Sequence, residues 1–443
     1  MTETENKKPN KFEKLLDLIK TVEHLQWYTP AKMESLQNTK LRALVAHHVK
    51  ESPWFGDRIK NSGLLPRDIS VDQLSKIPLL GRRDIQSAKE DFFAKNMHED
   101  HGKPGIVKTS GSTGEPVTIR ATDIVGMFYH ACNLLEITWN KRNPQSRLAV
   151  IRAGQFKTGE YPDWGMPASA LMKTGPLMAI NITEDIRKQI EIIDEFKADM
   201  LVVYPNNLAA LLDLWKDRGT VPALKHIKCV GETVSDHLRS RVKDMFNLKI
   251  EDSYSSQELG TIANQCSDGL YHTMDFNLIV EVLDADGNQV AEGETGRVVV
   301  TDLHNYASPM IRYDIGDYAV RGNLCTCGRG LLTLKKVIGR ERNLILRADG
   351  SRYWPMVGMY QFDDLDFIIR RYQVIQHDRV DVEYKIVTDD PITAEQEAAL
   401  IAIAQNALGD EFKIRVTRQA EDFPVAPNGK FEEFVCKATA DIK

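Results

Sequence analysis

The sequence predicts an α/β protein. A large N-terminal domain carries mostly parallel sheets and a small β unit, and a small α+β C-terminal domain follows it. Three observations predict this. Between 105 and 275, short apolar runs alternate with amphipathic segments long enough to be crossover helices. Between 276 and 338, short strands alternate with the turns Asp286-Gly287 and Gly293-Glu-Thr-Gly296. The chain is 443 residues long, more than one small domain needs, and its tail has a strand and helix pattern of its own.

The elements follow in order. The first ten residues are polar and have no apolar core, so no secretory leader is expected. Leu15, Leu16, Ile19 and Val22 share a helical face, and Leu36, Leu41, Leu44 and Val45 mark a second helix over 35–51. With Pro53-Trp54-Phe55 and the turns near Gly63, Pro66 and Pro78, these form a helical cap over 1–100. In the α/β core, strands are expected at 148–151, 200–204, 226–230 and 249–254. The helices between them carry Ile186, Ile190, Ile193 and Phe196, then Leu208, Leu211, Leu212 and Trp215, then Leu238, Val242 and Met245. Ligands of parallel sheets gather beyond the carboxyl ends of the strands. That rule marks Tyr204-Pro205, Gly231-Glu232 and 253–258. Strands at 278–283 and 297–300 belong to the β unit. The tail reads as strands at 372–376, 380–387 and 412–416 with a helix over 393–407.

Composition excludes several classes. A net charge of −6 gives no basic footprint for nucleic acid and no polybasic membrane patch. No apolar run approaches the ~20 residues of a membrane span. Six scattered cysteines in so long a chain do not form a disulfide framework, which points to a reducing, cytoplasmic setting.

The stretch with most chemical content is Lys108-Thr-Ser-Gly-Ser-Thr-Gly-Glu-Pro116. Gly111 and Gly114 permit a sharp turn whose N–H groups can face an anion, and Ser110, Ser112 and Thr113 add hydroxyl donors. No lysine follows the second glycine, so this is not the common G-x-x-x-x-G-K-[ST] phosphate loop. Alone, such a stretch is more often a plain turn.

Four further stretches occur downstream in order: Gly231-Glu232; Tyr254-Ser-Ser-Gln-Glu258; Ile311-Arg-Tyr-Asp-Ile-Gly-Asp317; and Gly339-Arg340 with Asn428-Gly-Lys430. Together with the loop, this series resembles the adenylate-forming superfamily of acyl-CoA ligases, luciferase and peptide-synthetase adenylation domains. Within it the chain resembles the phenylacetate-CoA ligase branch. Leu41-Arg-Ala-Leu-Val45, Ser52-Pro-Trp-Phe55 and Lys76-Ile-Pro-Leu-Leu-Gly-Arg-Arg-Asp-Ile85 fall where that branch has similar text.

The resemblance implies a two-step reaction. A carboxylate, of an aromatic acid in this branch, attacks the α-phosphate of ATP to give an acyl-adenylate, and coenzyme A then displaces AMP. Ser110–Gly114 would hold the outer phosphates. Glu258 would ligate Mg²⁺, whose preference is for hard oxygen. Gly231 and Glu232 would line the adenine, with Tyr254 and Ser255 beside the nucleotide. Asp317 would accept from both ribose hydroxyls, as one carboxylate can. Arg340 would reach ribose or phosphate, and Lys430 would bridge carboxylate and α-phosphate. It further implies domains at 1–340 and 341–443, with a hinge near Glu341-Arg-Asn343. Phe128, Tyr129 and Tyr204 are the acyl-pocket candidates.

The chain departs from the branch at Arg342-Asn343, where acidic residues are usual, and at Gln257, where a small residue is common. Val117 stands where many superfamily members have lysine. A separate cluster pairs Cys325-Thr-Cys327 with Cys266 and His272, a set able to hold structural Zn²⁺; parts of the branch carry similar pairs. Two other functions stay open: adenylation with transfer to a separate carrier protein or an amine, and a non-catalytic nucleotide-binding scaffold. Intact Glu258, Asp317, Arg340 and Lys430 weigh against the scaffold. A homodimer also stays open.

Overall fold

The structure is a computed structural model that describes residues 10–108, 117–340, 345–349, 352–353, 362, 365–419, 421, 423 and 434–438. Its helices are α1 (Lys11–Leu25), α2 (Pro30–Glu51), α3 (Pro53–Ser62), α4 (Arg82–Ala88), α5 (Asp123–Trp139), α6 (Ala168–Leu171), α7 (Ile186–Phe196), α8 (Pro205–Arg218), α9 (Asp236–Phe246) and α10 (Ala394–Leu408). Strands β1 (Gly105–Lys108), β2 (Thr118–Ala121), β3 (Leu148–Arg152), β4 (Gly159–Tyr161), β5 (Leu177–Asn181), β6 (Met200–Val203) and β7 (His226–Cys229) come first. They are followed by β8 (Ile250–Ser256), β9 (Gly260–Gln265), β10 (Tyr271–Thr273), β11 (Leu278–Leu283), β12 (Thr295–Asp302), β13 (Tyr313–Arg321) and β14 (Thr333–Arg340). The tail adds β15 (Ile345–Leu346), β16 (Arg352–Tyr353), β17 (Arg371–Gln376), β18 (Asp381–Val387), β19 (Lys413–Gln419) and β20 (Phe434–Cys436). No described helix is long and apolar enough to cross a membrane.

The chain divides into two compact units. The first comprises Met1–Leu148, Glu160–Leu177 and Glu251–Val337, and the second Ala149–Gly159, Met178–Ile250 and Ile338–Lys443.

In the first unit, α1 starts at a reciprocal cap: Asn10 accepts from the Phe12 and Glu13 N–H groups, and Glu13 accepts from the Asn10 N–H. Thr29 and Ser52 cap α2 and α3, and each helix then opens on a proline, whose missing N–H costs nothing there. The strands lie in the order β11-β12-β13-β14-β10-β9-β8. Alternate residues point inward, so Leu278, Val280 and Val282 meet Val298, Val300, Tyr313 and Leu334 in one core. The sequence pattern places a strand at 249–254, where β8 lies; β9 then turns back and pairs antiparallel with it. Only Gln257-Glu258-Leu259 separate the two strands, far short of the dozen residues a parallel crossover needs.

In the second unit, β6 and β7 run parallel, with β3 beside β6 and β5 beside β3. Ile190, Ile193, Leu208, Leu211, Leu212, Trp215 and Val242 from α7, α8 and α9 bury one core with Ile151, Leu201 and Ile227. The tail forms its own sheet, β19-β18-β17-β20, in which β18 and β19 are parallel and α10 links them. Leu400, Ala404 and Leu408 of α10 pack against Val374, Val382, Tyr384 and Ile386.

One residue sets where β13 begins. Arg312 lies at φ 54, in the left-handed region that costs a non-glycine residue roughly 1–2 kcal/mol. It is 3% exposed. Its Nε and Nη2 donate to the two oxygens of Glu281, both at 3.0 Å. Its Nη1 donates to the carbonyls of Ile77 at 2.7 Å and Ser75 at 3.2 Å. Its own N–H donates to Thr301 Oγ1, and its carbonyl accepts from Leu80. Burial pushes the Glu281 carboxyl up, and the guanidinium pulls it back down. Breaking such a buried pair strands a charge. Arg312→Met should therefore lose about 3–5 kcal/mol in urea unfolding, and a loss below about 1 kcal/mol would contradict the reading.

Candidate functional site

The first unit gathers three of the expected acid and aromatic groups. Tyr254 ends the regular part of β8, and the register with β9 slips between Tyr254 and Ser255. Such a bulge re-aims side chains. The Tyr254 hydroxyl donates to Asp317 Oδ2 at 2.7 Å, and both residues are buried. Asp317 shares the inward face of β13 with Tyr313 and Ile315. Ser255, next in the chain, is exposed.

Glu258 sits in the β8–β9 turn and is 5% exposed. The Tyr313 hydroxyl is 3.4 Å from its Oε1, and Arg82 Nη1, at the start of α4, is 3.8 Å away. Gly260 takes φ 69, and a Cβ there would stand 3.4 Å from Tyr129 Cδ2. Tyr129 thus lies against the Glu258 turn and is 46% exposed. Its neighbour Phe128 points elsewhere: it is buried in the core, its ring tilted against that of His304 with centroids 4.0 Å apart.

In the second unit, the carboxyl ends of β3, β6 and β7 supply the other groups. Tyr204 follows β6, and its hydroxyl accepts from the Ala153 N–H at 3.4 Å. Glu232 follows β7 and Gly231, which takes φ 81. One Glu232 oxygen accepts from the Asn206 backbone at 3.2 Å and from its Nδ2 at 2.8 Å. Asn181, ending β5, donates to the carbonyls of Gly154 at 3.0 Å and Phe156 at 2.9 Å. Sequence reasoning missed Asn206, Asn181, Arg82 and Tyr313 as supports. Only Arg82 and Tyr313 stood inside quoted motifs; the asparagines carry no spacing signal.

Ser110, Gly111, Ser112, Thr113, Gly114 and Lys430 lie outside the described residues. Arg340 ends β14, and its side chain lies outside them too.

The cysteine cluster does assemble. Cys266 follows β9, His272 lies in β10, and Cys325 and Cys327 lie between β13 and β14. Their ligand atoms all fall within 4.8 Å of one another. The Cys266 and Cys325 sulfurs are 3.7 Å apart, and Cys327 Sγ is 3.3 Å from His272 Nε2. A tetrahedral zinc ion with its usual bond lengths sets such edges at roughly 3.8 Å for S–S and 3.5 Å for S–N. Burial, then Arg329, pushes the His272 imidazolium down to about 4, so the ring is neutral near pH 7 with a lone pair to give. Burial raises the Cys325 thiol to about 12. Burial also acts to raise Cys327, but hydrogen bonds from Arg329 outweigh it and the thiol falls below its ordinary value.

No protein-family model matches the chain. It is 22% identical over 399 residues to a phenylacetate-coenzyme A ligase of Thermus thermophilus, covering 86% of this chain and 85% of that protein. It is 25% identical over 328 residues to a phenylacetate-coenzyme A ligase of Aromatoleum evansii, covering 71% and 72%. Among solved structures, a 2-hydroxyisobutyryl-CoA ligase in the postadenylation state with R3-HIB-AMP matches with a TM-score of 0.72. The identity there is 16%, and the match covers 92% of this chain and 90% of that one.

Asp275 ties the cluster's surroundings together. Its carboxylate accepts from the Leu332 N–H at 2.6 Å and from the Thr273 hydroxyl, and its carbonyl accepts from Gln37. Full burial raises its pKa to about 7. The folded state therefore holds a proton that the unfolded chain releases near pH 4, and stability falls as pH rises from about 4 to about 7. Asp275→Asn keeps the neutral form throughout. It should be more stable than the parent at pH 8, by up to about 4 kcal/mol, and equal to it near pH 4. A pH-independent difference in denaturant midpoint would contradict this.

Proposed function

We propose that this chain, a member of the phenylacetate-CoA ligase-like branch of the adenylate-forming superfamily, joins a carboxylic acid to coenzyme A through an acyl-adenylate. The observation that carries the reading is the buried Tyr254–Asp317 hydrogen bond, beside a Glu258 turn on the same unit. The curated relatives bear the name phenylacetate-coenzyme A ligase, which supports the reaction class.

In the first step the substrate carboxylate attacks the α-phosphorus of ATP and pyrophosphate leaves. Asp317 accepts the ribose hydroxyls, and Tyr254 holds it still for that contact, so orientation is set before the nucleotide arrives. Glu258 is the residue that would hold Mg²⁺, which would neutralise charge on the phosphates. The N–H groups of Ser110, Gly111, Ser112, Thr113 and Gly114 receive the outer phosphates, and the Gly231-Glu232 backbone lies along the adenine. Lys430 places its ammonium where charge builds between carboxylate and α-phosphate. Arg340 adds a cation for ribose or phosphate. In the second step the thiol of coenzyme A attacks the acyl carbonyl, and AMP leaves with the C–O bond electrons. The acid is aromatic in this reading. Tyr129, against the Glu258 turn, and Tyr204 are the aromatic residues to test first; Phe128 packs into the core.

Carboxylate-dependent pyrophosphate release across an acid panel, with and without coenzyme A, tests the reaction. Release with thioester formation is expected, whereas release without thioester would move the acceptor to a carrier protein or an amine. No release with any acid would refute the proposal. Lys430→Ala should lose adenylation by on the order of 10²–10³-fold while still converting a supplied acyl-adenylate to thioester. Equal loss of both half-reactions would contradict Lys430's assignment.

Cys266, His272, Cys325 and Cys327 would hold a structural Zn²⁺ that pins the β13–β14 connection to the β9–β10 hairpin. The protein should carry about one equivalent of zinc, and chelation should lower its melting temperature while Cys325→Ser loses the metal. Less than half an equivalent, with no change on chelation, would contradict the site.

A further inference from the structure

The turn that carries Glu258 meets an arginine from a distant part of the chain, and that arginine has no role in the reaction as described above. Arg82 Nη1 lies 3.8 Å from Glu258 Oε1, with the Arg82 side chain 22% exposed and that of Glu258 5%. At that distance the charges attract without a hydrogen bond, whereas a committed guanidinium–carboxylate pair closes to about 2.8 Å. Arg312 on Glu281, at 3.0 Å, is the committed kind. The Tyr313 hydroxyl stands at the same Glu258 oxygen, 3.4 Å away. Among the described residues, Glu258 Oε2 makes no hydrogen bond.

Packing puts Arg82 there. Leu80 joins the start of β13: its N–H donates to the Arg312 carbonyl at 2.8 Å, and its carbonyl accepts from the Asp314 N–H at 2.9 Å. Leu80 and Ile85, on either side of Arg82, are buried in one core with Val117, Leu259 and Tyr313. Asp84, the next acid along the chain, is engaged: it accepts from the Gly81 N–H at 2.8 Å and lies 4.0 Å from Arg58. Val117, where the glycine-rich stretch ends, is apolar and buried in that same core, so no cation enters from its position.

A carboxylate as buried as Glu258 needs a counter-charge, and Arg82 supplies it. The same carboxylate is the one that would hold Mg²⁺. A divalent ion there would repel the guanidinium beside it, so Arg82 then needs another anion within a side chain's swing. The phosphates of the nucleotide are such an anion, and the planar guanidinium matches two phosphate oxygens at once. We infer that Arg82 is a polyphosphate-binding residue: it guards Glu258 until ATP arrives, then transfers to the oxygens beyond the α-phosphate. When the substrate carboxylate bonds to the α-phosphorus and the bridging P–O bond breaks, the electron pair leaves with pyrophosphate, and Arg82 neutralises part of that charge. This rests on the ligase reading above and adds an order to it: metal and nucleotide enter together, because metal alone must compete with a guanidinium.

Titration calorimetry on the full chain, in EDTA, with AMP and with the non-hydrolysable ATP analogue AMPPCP tests it. AMP ends at the α-phosphate, so Arg82 touches only the analogue. Arg82→Gln should weaken AMPPCP by about tenfold or more, as loss of a charge-assisted hydrogen bond implies, and leave AMP unchanged. Arg82→Lys should weaken AMPPCP less than Arg82→Gln does. A purely structural role would move both nucleotides together. Mn²⁺ without nucleotide, followed by its paramagnetic resonance signal, should bind Arg82→Gln about fivefold or more tightly than it binds the parent. On the unaltered protein, pyrophosphate should protect Arg82 from phenylglyoxal by mass spectrometry and AMP should not, which decides the matter even if a variant fails to fold. Equal weakening of AMP and AMPPCP, unchanged AMPPCP affinity, Mn²⁺ binding no tighter than in the parent, or unprotected Arg82 would overturn the assignment. None of these measurements needs turnover: absent pyrophosphate release with every acid refutes the ligase reading, whereas these outcomes refute the role of Arg82 alone.

Discussion

The buried pairing of Arg312 with Glu281 is the constraint on which the first unit's chemistry rests. A left-handed arginine is an unfavourable way to begin a strand. It persists here because five neighbouring groups, the Glu281 carboxylate, Thr301, Ser75, Ile77 and Leu80, bond its side chain and backbone at once. Any rotation that relieved φ would strand a guanidinium and a carboxylate away from water. The turn is therefore rigid, and the phase of β13 follows from it. Tyr313 and Asp317 then face inward by the period-2 rule, and one meets Glu258 while the other meets Tyr254. A residue that reads in the sequence as part of a catalytic motif is in fact the motif's foundation.

The same logic recurs at the other acidic groups. Glu232 is oriented by the backbone and side chain of Asn206, and Asp317 by a tyrosine hydroxyl. Glu136 bonds Ser253 on β8 while pairing with the buried Arg142, so the strand that carries Tyr254 is fixed from its other side. A carboxylate with one oxygen committed loses little freedom when a ligand takes the rest. That is the physical content of preorganisation, and it requires supports that never touch substrate.

Much of this was legible in the sequence. Apolar residues at helical spacing located α1, α2, α7, α8 and α9, and the tail's strands fell near their expected places because their β-branched runs are bounded by polar turns. The order of the motifs carried the family resemblance further than any one of them. Two things were illegible. The antiparallel return of β9 turned on three residues and one positive φ at Gly260, a short-range event that an apolar run cannot signal. The supports, Asn206, Asn181 and the partners of Arg312, join positions 11 to 237 residues apart, and no local pattern encodes such distances. The cysteine cluster falls between these cases: its spacing was ambiguous, and only the folded β13–β14 connection brings the sulfurs to 3.7 Å. The glycine-rich stretch and Lys430 rest on their motifs, since both lie outside the described residues.

Asp317 as the ribose acceptor, held by Tyr254, is the point on which the ligase reading turns. Carboxylate-dependent ATP–pyrophosphate exchange, measured with ATP and with 2′-deoxy-ATP in the parent and in Asp317→Ala, addresses it directly. The parent should prefer ATP by about tenfold or more, as the loss of one charge-assisted hydrogen bond implies, and the variant should treat the two nucleotides alike. An undiminished preference for ATP in Asp317→Ala would contradict it.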